Sequence, residues 1–140
     1  MSTAHPVIRH RVALGLVGPE QPTPLAAELR YDPADPYAVS LAFLKDDREL
    51  VWVFGRDLLL RGLCEPSGDG DVHVFPWVDA DGRGLVAVEL RGRTGDALLE
   101  GSTRDFLSFL ALTTRAVWPG TEGDHELTLD TALSSILVGD

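Results

Sequence analysis

The stretch from Tyr31 to Leu60, YDPADPYAVSLAFLKDDRELVWVFGRDLLL, limits what this chain can fold into more than any other. Pro33 and Pro36 fix their own φ at about −65° and push Asp32 and Asp35 into extended geometry, so no helix runs through the segment. The two Asp side chains can bond nearby backbone amides, which makes YDPADP a rigid turn. Tyr37, Val39, Leu41 and Phe43 then alternate with Ala38, Ser40 and Ala42, the period-two pattern of a strand with one bulky and one small face. Lys45-Asp46-Asp47-Arg48 is a polar break, and Leu50 to Phe54 form a second apolar strand. Gly55-Arg56-Asp57 ends that strand, and Leu58-Leu59-Leu60 fall on a short helix closed by Gly62. The unit is a hairpin feeding a helix.

Upstream, residues 1–6 read as a loose terminus. Ile8, His10, Val12, Leu14 and Leu16 lie on one face of a strand, with Arg9, Arg11, Ala13 and Gly15 opposite. A Gly18-to-Pro22 turn leads to a strand through Leu25, Ala27, Leu29 and Tyr31. The first half therefore predicts four strands and a helix.

Downstream, Pro66 to Asp71 reads as a loop. Val72 to Val78 is a strand that Pro76 confines to an edge or a bulge. A glycine-bearing connection, Asp79 to Gly84, returns the chain through Leu85 to Arg91. After another turn, Ala97 to Glu100 form a short strand. Ser102-x-x-Asp105 resembles a capping box. It opens an amphipathic helix whose apolar face is Phe106, Phe109, Leu110, Thr113 and Val117, stopping at Pro119-Gly120. A last short helix starts near Thr128 or Asp130 and buries Leu129, Leu133, Ile136 and Leu137. The expectation is an α+β fold in one domain, residues 1–140, with about seven strands in two packed antiparallel sheets and the order β4-α-β3-α-α.

Net charge narrows function. The chain carries 22 acidic against 12 basic residues, a balance of −10, whereas a sequence-independent nucleic-acid binder neutralises about 6–10 phosphates. Nucleic acid and anionic membrane are disfavoured, and an acidic surface suits a protein partner with basic patches. No apolar run approaches the roughly 20 residues that cross a bilayer. The single cysteine, Cys64, permits no internal disulfide, fits a reducing compartment, and reads as a small structural side chain.

Catalysis and cofactors find no footing. His5, His10, His73 and His125 sit in four separate segments without paired ligand spacing. Asp79-x-Asp81-Gly82 lacks the remaining positions of a calcium loop, and Gly68-Asp69-Gly70-Asp71 would repel a phosphate. No nucleophile elbow occurs. The chain is read as a non-enzyme with no metal and no cofactor. Trp52, Phe54, Phe75 and Trp77 would stack on bases if Arg9, Arg11, Arg83, Arg91 and Arg93 tracked phosphates, but core or interface roles fit the charge better. The candidate protein-contact residues are Tyr31, Asp32, Asp35, Tyr37, Trp52 and Trp77. The pair Asp32 and Asp35 is better explained by turn capping than by acid–base work.

The ordered set LRYDPADPYAV, VWVFGRDLLLRGL, GDGDVHVFP, DALLE and LDTALSSIL, from Leu29 to Leu137, resembles the SsgA-like proteins of filamentous actinomycetes, regulators of sporulation-specific cell division. The resemblance implies a fold similar to the "whirly" single-stranded nucleic-acid binders and assembly as homotrimers through sheet pairing between subunits. It also implies a cytoplasmic scaffold at division septa, acting on the tubulin-like protein FtsZ directly or through a sister SsgA-like protein. The alternative is a whirly-like single-strand nucleic-acid binder.

Overall fold

The computed structural model describes residues 6–93 and 95–123. Eight strands form one antiparallel sheet: β1 (Ile8–Leu16), β2 (Thr23–Tyr31), β3 (Ala38–Lys45), β4 (Arg48–Gly55), β5 (Ser67–Asp69), β6 (Val72–Val78), β7 (Gly84–Gly92) and β8 (Gly95–Ser102). Helix α1 (Arg56–Gly62) follows β4, and α2 (Thr103–Ala116) follows β8. The spatial order is β4-β3-β2-β1-β8-β7-β6-β5.

Local chemistry explains most of these elements. The alternation in β1 to β3 sends Val12, Leu14, Leu29, Tyr31, Val39, Leu41 and Phe43 to one face, where all are buried. Two-residue turns join β3 to β4 and β5 to β6. In the first, Asp46 and Asp47 both have positive φ (54° and 62°), the paired geometry of a type I′ turn without its usual glycine. Ser102 caps α2 by accepting the Asp105 amide at 3.1 Å, and Phe106, Phe109, Leu110 and Thr113 are its buried face. Helix α2 packs on β1, β7 and β8, whereas α1 packs on β4, β5 and β6. Gly62 lies so close to Val74 that an added Cβ would sit 2.3 Å from its Cγ1.

The two-sheet expectation is corrected. β1 pairs with β8 as well as with β2, through Leu14↔Gly101, Gly15↔Glu100 and Leu16↔Leu99, and so joins both halves into a single curled sheet. Gly101 makes the junction possible, since a Cβ there would meet Leu14 Cδ2 at 2.6 Å and Phe106 Cε2 at 3.0 Å. The strand count is eight rather than seven because Ser67–Asp69, read as loop, pairs with Val72 to Val74. A three-residue strand gives too short an alternation to register in sequence.

The Pro76 reading holds. The Asp69–Val72 pair flanks the turn, so the backbone groups of Val72, Val74 and Pro76 point toward β5, which ends opposite Val74. The proline nitrogen therefore faces an open edge. Cys64 is exposed, so it fills no core position. The expected helix near Thr128 or Asp130 lies outside the described residues.

Candidate protein-interaction surface

The YDPADPY segment is a turn held from both sides. Tyr31 is fully buried and donates its hydroxyl to the Pro36 carbonyl at 2.9 Å. Burial pushes its phenol up to about 12. Asp32 accepts the Ala34 amide at 2.9 Å, and its carbonyl takes the Asp35 amide at 2.8 Å. The Asp32 carboxylate caps the turn, while Asp35 joins it through its backbone, and Asp32, Asp35 and Tyr37 are exposed at its surface. Tyr31 is a support beneath that surface and has no exposed area of its own.

Next to the turn lies the outer face of β1 to β4. Its middle is small, with Ala13, Ala26, Ala38, Ser40 and Ala42, because β1, β2 and above all β3 put short residues on this side. Across it runs an ion-pair chain. Arg9 and Arg30 both donate to Glu28, and Arg30 reaches Glu49 at 3.2 Å. The hydrogen bond from Arg30 outweighs the opposing desolvation and, with a smaller one from Arg9, holds the Glu28 carboxyl below its usual range. These exposed pairs contribute little stability, of the order of 0–1 kcal/mol each. They do fix where charge sits. On the same face, Val51 is 47% and Val53 61% exposed. A shallow depression brings Val53 together with Val7, Arg30, Asp32, Asp35 and Ser40. Apolar residues rimmed by ordered charges are the pattern of a protein-contact surface.

The sheet separates the other candidates. Trp52 and Phe54 point to the concave side, Phe54 being buried. Phe75 and Trp77 stand on the outer side of β6, edge to face at 5.8 Å between ring centres. Their cross-strand partners are Ala87 and Leu85, with Glu89 opposite His73 one step along the same face and Glu100 opposite Ala87 on β8, and no arginine is paired with either ring. The four aromatics therefore do not form one stacking platform, and acidic groups border the exposed pair.

Trp52 instead walls a cavity of about 420 Å³ at the end of the curled sheet that the helices leave uncovered. Leu16, Leu25, Phe43, Leu50 and Leu90 line it, with Lys45 and Asp96 among the polar groups. The indole edge comes within 4.0 Å of where a Gly92 Cβ would stand, so the hairpins β3–β4 and β7–β8 nearly meet.

No sequence pattern pointed to the most buried charge. Arg56, wholly inaccessible, donates to the Thr113 and Val117 carbonyls at 3.2 and 2.6 Å and to Glu122 at 2.9 Å. Its guanidinium also lies 5.0 Å from the centre of the Tyr31 ring. One side chain thus satisfies the Val117 carbonyl at the end of α2, adds a second donor to the Thr113 carbonyl that already accepts the Val117 amide, and anchors the chain beyond the helix to the β3–β4 hairpin. An Arg after a strand-ending glycine carries no periodic signal, and its partners are more than fifty residues away. Among the described residues no group of His, Cys, Asp and Glu is arranged to hold a metal.

A curled antiparallel sheet backed by two helices, with an ordered charged face on β1 to β4, describes a small α+β domain. Comparison makes it specific. Residues 25–122 match the family model described as "SsgA: Streptomyces sporulation and cell division protein", and the chain belongs to that family. It is 49% identical over 123 residues to the sporulation-specific cell division protein SsgB of Streptomyces coelicolor, covering 87% of this chain and 88% of that one. It is 42% identical to SsgB of Frankia casuarinae, over 99% of this chain and 97% of the other. Two solved structures share the fold. One, described as "Mutations in SsgB correlate to longitudinal cell division during sporulation of Streptomyces coelicolor", aligns with a TM-score of 0.83 at 43% identity, over 89% of this chain and 99% of that one. The other, an SsgA-like sporulation-specific cell division protein from Thermobifida fusca, gives 0.84 at 33% identity, over 96% and 98%. A role in sporulation and cell division follows from this membership.

Proposed function

We propose that the protein is a non-enzymatic scaffold of sporulation septation, cytoplasmic and gathered at septa, working as a homotrimer on FtsZ directly or through a sister SsgA-like protein. The observation that carries this is the outer face of β1 to β4. Val51, Val53 and the Asp32–Asp35 turn form one shaped, charged surface on a rigid sheet, and no cofactor is needed to use it. Three copies of such a surface turn weak contacts into firm ones through effective concentration, above all against a polymeric target. The β4 edge, unpaired among the described residues, supports self-association. The nucleic-acid reading, tied to a whirly-like fold, has less support because the aromatics are split between two faces.

The test combines light scattering with co-sedimentation on FtsZ polymers and on sister SsgA-like proteins, for the wild type and for Val51→Lys/Val53→Lys. A trimer that pellets with one of these targets, and a folded double variant that does not, is the expected pair of results. A wild type that stays monomeric and binds neither target removes the proposal. Salt-sensitive binding of a labelled single-stranded oligonucleotide would replace it with the alternative.

A further inference from the structure

Neither helix covers the outer side of β6 to β8. Gly62 of α1 meets Val74 and Phe106 of α2 lies beside Gly101, both on the concave side. Trp77 stays 49% exposed on the opposite side, where it meets Phe75 with an angle of 73° between the rings. Register sets what surrounds this pair. One row of paired residues runs Phe75, Ala87, Glu100, Gly15 and Pro24 across β6, β7, β8, β1 and β2. The rows on either side put Leu85 next to Trp77, and Glu89 and Leu98 next to His73. Ala87 is buried beneath these neighbours. The result is an aromatic and aliphatic patch with a carboxylate on each of two strands.

The two carboxylates differ. Glu89 lies 3.3 Å from Arg91 and 3.7 Å from His73 Nδ1, so it is engaged within the face. Glu100, half-buried, belongs to no ion pair among the described residues. Its side chain runs along Gly15, where an added Cβ would stand 3.5 Å from Glu100 Cγ and 2.8 Å from Pro22 Cβ. Gly15 thus leaves the room that Glu100 occupies, and two strand spacings, about 10 Å, separate its backbone from that of Phe75. The remaining charges are few: Arg91 is tied to Glu89, Asp96 sits opposite Arg91, and Asp79, Asp81 and Arg83 belong to the β6–β7 turn. Carboxylates therefore outnumber arginines around the aromatic pair.

We propose that this face is a further protein-contact surface, and that its partner is a segment of another protein carrying arginine or lysine among apolar residues. An exposed indole attracts a cation to its ring. Phe75, Leu85 and Leu98 take the apolar stem and neighbours, and Glu100 supplies the counter-charge. Arginine suits the site best, because its planar fork matches a carboxylate and stacks on an aromatic ring. A tryptophan beside an unpaired carboxylate is the kind of centre on which contact energy concentrates. With 12 basic against 22 acidic residues, a second copy of this chain is a poor source of such a segment. The face lies on the other half of the sheet from Val51 and Val53, so its use does not depend on theirs and one copy can hold two partners at once.

Nuclear magnetic resonance on the isotope-labelled full-length chain locates the contact. The probe is a short peptide of arginine, leucine and alanine repeats, with its glutamine-for-arginine counterpart as control. Shift changes should gather at Phe75, the Trp77 ring, Leu85, Leu98 and Glu100, and should vanish with the glutamine peptide. Trp77→Ala and Glu100→Gln should each weaken binding about tenfold. Glu100→Gln keeps the shape and reads the charge alone. Glu49→Gln removes the same charge from the other half of the sheet and should leave the affinity unchanged. Absence of binding overturns the proposal, as do shifts spread over the acidic surface or centred on the Asp32–Asp35 turn, and equal weakening by Glu49→Gln. Shifts at Phe75 and Trp77 that grow with protein concentration in the absence of peptide also overturn it, because they give the face to a second copy.

Discussion

Removing Arg56 should weaken the whole fold, and the loss can be bounded from its contacts. Arg56→Met keeps length and apolar character but deletes donors to two carbonyls and one carboxylate. It leaves the Val117 carbonyl without its side-chain donor and the Thr113 carbonyl with only the Val117 amide. Breaking one side of a buried, charged hydrogen-bond set costs about 3–5 kcal/mol. For a chain of this size, that lowers the melting temperature by roughly 6–20 °C at about 2–4 °C per kcal/mol. Glu122→Gln keeps an acceptor and removes only the counter-charge, so about 1–3 kcal/mol is expected. Because both act on one network, the double variant should lose less than the sum of the singles, by about 0.5–3 kcal/mol. Urea unfolding followed by far-ultraviolet circular dichroism measures all three variants. A loss below about 1 kcal/mol for Arg56→Met, or simple additivity in the double variant, would refute the account of Arg56 as the tie between α2 and the β3–β4 hairpin.

The same network has an acid signature. Burial alone would push the Glu122 carboxyl up, but hydrogen bonds from Arg56 and from backbone amides outweigh it and leave the group below its reference of 4.5. A depressed acid stabilises the folded state above the unfolded pKa and loses that contribution as pH falls through the folded one. Stability from this group should therefore be flat near neutrality and decline below about pH 4.5, less steeply in Glu122→Gln; equal slopes would contradict it. Tyr31 has the opposite sign: with its phenol raised to about 12 by burial, stability is intact below the unfolded value of about 10 and falls above it. Tyr31→Phe should lose about 1 kcal/mol at neutral pH with the Pro36 hydrogen bond, and should lessen the alkaline decline, read by melts across pH. Asp46→Asn/Asp47→Gly should raise stability by roughly 0.5–1 kcal/mol, since glycine and asparagine take positive φ more readily than aspartate, and an unchanged urea midpoint would tell against the type I′ assignment. Gly62→Ala should cost about 1–3 kcal/mol by driving α1 off Val74, measured by the same unfolding curves.

Much of the fold was readable from local pattern. The alternation from Tyr37 to Phe43, the four-residue break at Lys45, the Ser102 cap and the spacing from Phe106 to Thr113 each state their element in adjacent residues. Their physics is short-range. The YDPADPY turn was legible for the same reason. The contact set was only partly legible: Asp32, Asp35 and Tyr37 share an exposed turn, Tyr31 lies beneath it, and Trp52 and Trp77 stand on opposite sides of the sheet.

What the sequence by itself determined is seven of the eight strands, the helices α1 and α2, their inward faces, and a net acidic charge of −10, because periodicity and charge are written residue by residue. Only the tertiary structure decided that β1 joins β8 and makes one sheet from two halves, and that Arg56 reaches across to α2. Those outcomes depend on which distant backbones meet and which small residues let them approach, as Gly101 and Gly62 do, and no local pattern encodes such a meeting.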